Sequence, residues 1–308
     1  MSRPLNIAAV QAAPVAIGRS LDVFADDVAR VVRETGARLI VYPELHLFGA
    51  EAASEETRND LLRASAVPLD GPLVERLGVI ARDLGVWLIP GSICERGESG
   101  ELFNTALVFS DAGELVANYR KIFPWRPFEP YDPGREFVVF DMAGVGRLGL
   151  SICYDAWFPE VTRHLAWMGA EAVINIVKTT TPDRAQEVVL AQANSIVNQT
   201  FTVSVNCAGP VGRGRSLIVD PEGAVLAEST GVESCVLDLS IDLDDVVRVH
   251  EDGTAGSNRM WTQFLPTDSP LELPLYDGRI DADRWRLTSP PLSPSAPNSP
   301  PSLTRTSS

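Results

Sequence analysis

Short runs of β-branched and leucine-rich residues alternate along this chain with longer stretches whose apolar positions recur at helical spacing. Asn6 to Gln11 reads as a buried strand, followed by a loop and a helix from about Ser20. Leu21 to Thr35 carries Val23, Val28, Val31 and Val32 at helical spacing and leads through Gly36 and Ala37 into a strand, Leu39 to Tyr42. Pro159 to Met168, with Val161, Leu165 and Met168 on one face, leads through Gly169 and Ala170 into Val173 to Val177 in the same manner. The echo continues in a second unit of each half. Pro72 to Leu84 precedes the strand Val86 to Ile89, and Ala185 to Asn198 precedes Phe201 to Val205. Each half then carries a hairpin whose turn is supplied by Asp and Gly, ALVFSDAGELV in the first and SLIVDPEGAVL in the second.

A duplicated α/β unit predicts two sheets, each covered outside by helices and packed on the other through its remaining face: a four-layer α-β-β-α sandwich with internal pseudo-duplication. A single doubly wound sheet is the competing arrangement. Residues 1–285 read as one domain that ends in an irregular arm carrying Met260, Trp261, Phe264 and Leu265. Beyond Trp285 the composition collapses to Ser, Pro, Thr and Asn, so residues 286–308 are expected to be a disordered tail.

Composition narrows the function. The chain of 308 residues is 45% hydrophobic and 22% charged, ample for one large core. A formal net charge of -15, with no Lys/Arg-rich run, would repel phosphate backbones and argues against nucleic acid and anionic membrane as partners. Gln11 and Pro14 break the opening apolar run too early for a signal peptide, and no stretch approaches the roughly 20 apolar residues of a membrane span. Cys94, Cys153, Cys207 and Cys235 show no C-x-x-C spacing, which predicts neither a disulfide framework nor a zinc site and fits a reducing cytoplasm. His46, His164 and His250 have no metal-binding spacing either, so no cofactor or metal is expected.

Three residues stand where an apolar run gives way to a loop: Glu44 after LIVYP, Lys121 after GELVANYR and Cys153 after GRLGLSI. Taken alone, each has an ordinary reading, a solvated acid, a surface lysine and a buried thiol. Open α/β sheets, however, gather ligands beyond the carboxyl ends of their strands. Cys153 also lies just before Pro159 at a helix start, where a helix dipole and free N–H groups can stabilise a thiolate.

VYPEL, YRKIFPW and GLSICYDAWFPE resemble, in order, the three signature segments of the carbon-nitrogen hydrolase (nitrilase) superfamily. NIAAVQAAP resembles its first strand and SLIVDPEGAVLAE its late hairpin, so the likeness runs from about Asn6 to Asp238. The resemblance implies the duplicated α-β-β-α fold and a Glu-Lys-Cys catalytic set at Glu44, Lys121 and Cys153. It adds a further acid eight residues after the lysine, Glu129, as in aliphatic amidases and formamidases. Cys153-Tyr154-Asp155 is closer to the amide hydrolases than to the C-W-E of nitrilases.

The implied reaction is hydrolysis of a small carboxamide through a cysteine thioester, with Glu44 moving the proton and Lys121 and the Tyr154 N–H facing the oxyanion. Hydrolysis of an N-carbamoyl amino acid or a nitrile, and transfer of the acyl group to an amine, stay open. Trp125, Phe128, Tyr154 and Trp157 flank the reactive residues and are candidates for the acyl side of the pocket, while Lys178 could meet a substrate carboxylate. Family members commonly dimerise through the helix after the nucleophile, which implies a homodimer or larger assembly.

Overall fold

The computed structural model describes residues 2–273 and 278–280, so the expected tail at 286–308 lies outside the described residues. In chain order the elements are β1 (Pro4–Gln11), α1 (Leu21–Thr35), β2 (Leu39–Val41), α2 (Glu55–Ala64), α3 (Pro72–Leu84), β3 (Trp87–Ile89), β4 (Ser92–Arg96), β5 (Leu102–Phe109) and β6 (Leu115–Arg120). There follow β7 (Val139–Met142), β8 (Gly146–Ile152), a 3₁₀ turn (Cys153–Trp157), α4 (Pro159–Trp167), β9 (Ala172–Val177), α5 (Arg184–Asn198) and β10 (Phe201–Asn206). β11 (Leu217–Val219), β12 (Val225–Glu228), β13 (Cys235–Asp242), α6 (Asp244–Asp252) and a short 3₁₀ turn (Met260–Thr262) complete the series. The chain divides into one unit that ends at Trp261 and a second that begins at Thr262.

The first sheet runs β13-β1-β2-β3-β5-β4, with β6 added to β5, and the second runs β12-β11-β10-β9-β8-β7. In each, three parallel strands joined by helices (β1, β2, β3 and β8, β9, β10) form one part, and antiparallel strands complete the rest. Both hairpins form as expected, β5 with β6 and β11 with β12.

Period-two alternation distributes the side chains between layers. Leu5, Ile7 and Ala9 of β1 and Leu39 and Val41 of β2 meet Leu148, Leu150, Ile152, Ile174, Ile176, Val203 and Val205 of the second sheet in one buried cluster. Ala8, Val10 and Ile40 point the other way, against Phe24, Val28 and Val31 of α1 and Leu77 and Ile80 of α3. Val173 meets Val161 and Leu165 of α4 on the outside of the second sheet. The result is the four-layer sandwich. Each fully buried Leu or Ile contributes roughly 1.5–3 kcal/mol, so the apolar faces hold the two sheets in register.

Two helix faces differ from expectation. Val23 is 51% exposed and Phe24 takes the inward position, because the helix starts at Leu21 behind the Ser20 cap and its phase turns 24, 28 and 31 to the sheet. Met168 lies beyond the last turn of α4 and is 37% exposed, while Val161 and Leu165 are buried.

The outer face of the second sheet is largely polar beneath α5. Thr202, Ser204 and Asn206 of β10, with Ser151 and Asn175, are buried there, and α5 answers with buried Arg184, Glu187, Asn194, Ser195 and Asn198. Ser195 donates to Thr202 (2.8 Å) and Arg184 to Ser204 (3.2 Å). All four cysteines are free, and among the described residues no helix is long and apolar enough to cross a membrane.

Candidate active site

Glu44 follows β2 in a loop tied down on both sides. The Tyr42 N–H donates to the Ile89 carbonyl (2.8 Å), Pro43 ends the strand, and the Leu45 N–H donates to Ser92 Oγ (2.9 Å) from a left-handed backbone with φ +50°. Gly91 makes this possible: a Cβ there would lie 2.0 Å from the Pro43 carbonyl oxygen. The carboxylate of Glu44 is buried, with the residue only 1% exposed.

Lys121 leaves the end of β6 and is fully buried. Its N–H donates to the Asn104 carbonyl (2.9 Å), and its own carbonyl accepts from the Gly134 N–H (2.7 Å). The ammonium donates to Glu129 Oε1 (2.8 Å) and Oε2 (2.9 Å) and to Glu44 Oε1 (3.0 Å). Glu129 Oε2 also accepts from the Trp125 N–H (2.9 Å), which fixes the acid against its own loop. The structure thus gathers Glu44, Lys121 and Glu129 into one buried cluster of two acids and one cation.

Cys153 opens the 3₁₀ turn directly after β8, with φ +48°. A non-glycine residue in this conformation is uncommon, and a strand-to-helix elbow is one setting that demands it, since it lifts the side chain out of the sheet. Asp155 locks the elbow. Its carboxylate accepts from the Ile152 N–H (3.0 Å), the Phe123 N–H (2.8 Å) and the Tyr119 hydroxyl (2.8 Å), so the cysteine turn is tied directly to the strand and loop that carry Lys121. Cys153 Sγ is 3.8 Å from Thr179 Oγ1. The two leading residues of the turn, Cys153 and Tyr154, present N–H groups that the turn itself cannot satisfy.

Electrostatics assign the charges. Burial opposes the Lys121 charge, but Glu129 and Glu44 outweigh it and hold the ammonium well above its ordinary range. Burial raises Glu44, with Lys121 pulling it down and Glu129 pushing it up. The Cys153 thiol is raised well above its ordinary value, by burial first and Glu44 second, with Lys121 opposing. This reverses the sequence-based expectation of a thiolate stabilised by a helix start, because desolvation and neighbouring carboxylates exceed what a short turn's dipole supplies. A resting thiol beside a buried, basic carboxylate needs that carboxylate to take its proton.

The expected pocket residues fall into separate groups. Trp125 packs on Phe128 with ring centroids 4.3 Å apart, whereas Tyr154 lies 6.2 Å from Trp157 and 5.2 Å from Phe158. Lys178 is engaged by Glu51, Nζ to Oε1 2.5 Å. Sequence reasoning missed Asn104, whose Nδ2 donates to Glu44 Oε1 (2.7 Å). The signal available was the polar pair Asn104-Thr105 inside the otherwise apolar run LFNTALVF. Thr179 was missed as well, one of three threonines after β9 with nothing local to single it out.

The model of the carbon-nitrogen hydrolase family matches residues 6–251, which covers both sheets and every residue of the cluster. The chain belongs to the carbon-nitrogen hydrolase family. It is 34% identical over 222 residues to a formamidase of Pseudomonas syringae pv. tomato, covering 70% of this chain and 63% of that protein. A formamidase of Bradyrhizobium diazoefficiens is 36% identical over 197 residues, covering 62% of this chain and 56% of the relative. The chain therefore spans less than two thirds of the length of these formamidases. Among solved structures, an amidase of Nesterenkonia sp. AN1 from the nitrilase superfamily superimposes with a TM-score of 0.64 at 30% identity, covering 80% of this chain and 94% of the other. A nitrilase-superfamily protein of Saccharomyces cerevisiae superimposes at 0.72 with 24% identity over 81% and 94% of the two chains, a likeness of fold. A variant of the Nesterenkonia amidase, 29% identical over 80% of this chain, carries the acetamide moiety of fluoroacetamide covalently on its active-site cysteine.

Proposed function

We propose that this enzyme is an amidase that hydrolyses a small carboxamide to the carboxylic acid and ammonia through a thioester on Cys153. The observation that carries the reading is the buried Glu44-Lys121-Glu129 cluster with its ammonium held charged, set against a protonated thiol on an elbow. Glu44 accepts the Sγ proton as sulfur attacks the carbonyl carbon. The Lys121 ammonium and the Tyr154 N–H stabilise the oxyanion, an interaction whose loss typically costs about 3 kcal/mol of transition-state stabilisation. When the C–N bond breaks, Glu44 returns the proton to the departing ammonia. Water, deprotonated by Glu44, then attacks the thioester and releases the acid and the free thiol.

Glu129 keeps Lys121 charged and, through the Trp125 N–H, aligns the loop that carries two candidate pocket aromatics. Tyr154 and Trp157, on the turn after the nucleophile, are the candidates for the acyl side. The Lys178 ammonium pairs with Glu51, which weakens its candidacy as a receptor for a substrate carboxylate and favours neutral amides over N-carbamoyl amino acids. The formamidase relatives, and a Nesterenkonia amidase described in complex with butyramide, support a small aliphatic substrate. Four free cysteines fit the reducing cytoplasm. α4 and α5 lie together, with Arg163 donating to the Val197 carbonyl (2.6 Å), and expose Trp167 (77%) and Val189 (62%), a face suited to a homodimer.

The test is a panel of formamide, acetamide, propionamide, butyramide, the matching nitriles and N-carbamoyl amino acids, with ammonia and acid measured together. Equimolar release from primary amides is expected. Turnover of nitriles or carbamoyl compounds alone would overturn the reading, and a new amide formed on addition of an amine would identify an acyltransferase.

A further inference from the structure

The sulfur of Cys153 faces a second buried charge system, separate from the Glu44-Lys121-Glu129 cluster. Thr179, in the loop after β9, is buried, and its N–H donates to Asn206 Oδ1 (2.9 Å) at the end of β10. Its hydroxyl lies 2.8 and 2.7 Å from the two carboxylate oxygens of Glu187, in the first turn of α5. Glu187 in turn accepts from Arg184 Nη1 (3.0 Å), itself almost wholly buried. The guanidinium is also spent on the Gly214 carbonyl (3.1 Å), Ser204 Oγ (3.2 Å) and the Arg215 carbonyl (2.9 Å).

Hydrogen-bond bookkeeping fixes the direction of the chain. An ion-paired carboxylate only accepts, and a threonine hydroxyl has one proton, so Thr179 must donate to Glu187. Towards Cys153, 3.8 Å away, Thr179 then offers only a lone pair. The contact can therefore be made by S–H and not by a thiolate.

We propose that Arg184, Glu187 and Thr179 form a thiol latch: a positioning relay that holds Cys153 protonated and its sulfur oriented until Glu44 removes the proton. The inference rests on Cys153 being the nucleophile. The latch adds to the burial and the Glu44 charge that already oppose ionisation of this half-buried cysteine, and it makes proton removal concerted with attack on the substrate. Other ionisable groups act on the same thiol: Glu44 from the β2 loop and Glu129 from the loop after β6 oppose ionisation, as Glu187 does from α5, and Lys121 at the end of β6 favours it. Asp155, inside the elbow itself, faces Lys121 as well. Glu187 is the one of these acids that reaches the sulfur through a hydroxyl with its proton already committed.

The signature is a sign. In Glu187→Gln the negative charge is lost, and the side-chain amide can donate to Thr179 Oγ1, which frees the hydroxyl proton to turn towards sulfur and favour the thiolate. Thr179→Val removes the lone pair that receives S–H. Both changes are expected to make Cys153 more acidic, whereas a hydroxyl that served the thiolate would give the opposite shift on removal.

The assay is the pH dependence of iodoacetamide alkylation of Cys153, followed by peptide mass in the intact enzyme and needing no knowledge of the natural substrate. A tenfold gain in thiolate yields roughly a threefold gain in rate, because a more acidic thiol is a weaker nucleophile. A gain of at least that size at neutral pH, with the profile displaced to lower pH, is expected for Glu187→Gln and Thr179→Val, and a wild-type profile for Thr179→Ser. Should Glu187→Gln fail to fold around an unpaired Arg184, the Thr179 pair carries the same test. An unchanged profile in Thr179→Val, or displacement to higher pH in either variant, would overturn the latch. Failure of the amidase reading would instead show as absent amide turnover with the latch profile intact.

Discussion

Glu129→Gln removes one charge from a buried trio, and its cost can be worked from the distances. The Lys121 ammonium touches Glu129 at 2.8 Å and Glu44 at 3.0 Å, which keeps the two nearest carboxylate oxygens within about 6 Å of each other. At an effective dielectric near 20, the Lys121–Glu129 attraction is about 6 kcal/mol and the repulsion between the acids about 3 kcal/mol. Loss of the Glu129 charge therefore costs about 3 kcal/mol net. The glutamine oxygen recovers part of that as a charge-assisted hydrogen bond, which leaves an expected destabilisation of about 2–3 kcal/mol. With its like-charged neighbour gone and Lys121 committed to it alone, Glu44 becomes a weaker base. The acid limb of the pH profile of kcat/KM should move to lower pH while kcat falls about 100-fold. Urea unfolding and pH-rate profiles on a small primary amide measure both. Wild-type stability together with an unshifted acid limb would refute the claim that Glu129 and Glu44 share one cation.

Further outcomes follow from other contacts. Burial pushes Asp155 up to about 6, so the folded state holds its proton more tightly than the unfolded chain does near 3.9. The associated stability is complete below pH about 4 and is lost as pH rises to about 6, a change of about 3 kcal/mol; in unfolding experiments this slope should vanish in Asp155→Asn. Gly91→Ala would drive a Cβ to 2.0 Å from the Pro43 carbonyl at φ +93°, and should cost about 2–4 kcal/mol and displace Glu44, seen as lowered thermal midpoint and kcat together. Trp167→Glu should leave the fold intact and halve the scattering mass if the α4–α5 face joins two subunits.

The duplicated architecture was legible because each half repeats a helix, a Gly-Ala step and a strand, and those local periods survive folding. Glu44 and Cys153 were visible for a related reason: each ends an apolar run, and the topology carries both runs to one end of the sandwich. Glu129 emerged only through family likeness, since eight residues of Pro-rich loop give no period that would bring it back to Lys121. β13 was not foreseen because its pairing with β1 joins residues more than two hundred positions apart. The polar layer beneath α5 was equally hidden. Thr202, Ser204 and Asn206 alternate with apolar neighbours as a solvent-facing strand would, and only the helix laid over them makes that face interior. The same burial turned the Cys153 environment from one that favours a thiolate to one that opposes it.

The most direct measurement of the thioester mechanism is acid quenching of the enzyme during turnover of acetamide, followed by digestion and mass mapping, with Cys153→Ala carried in parallel. An acetyl group on Cys153 alone, and no ammonia above background from Cys153→Ala, is the expected result. Acetyl on Cys94, Cys207 or Cys235 instead, or undiminished ammonia release from Cys153→Ala, would contradict it.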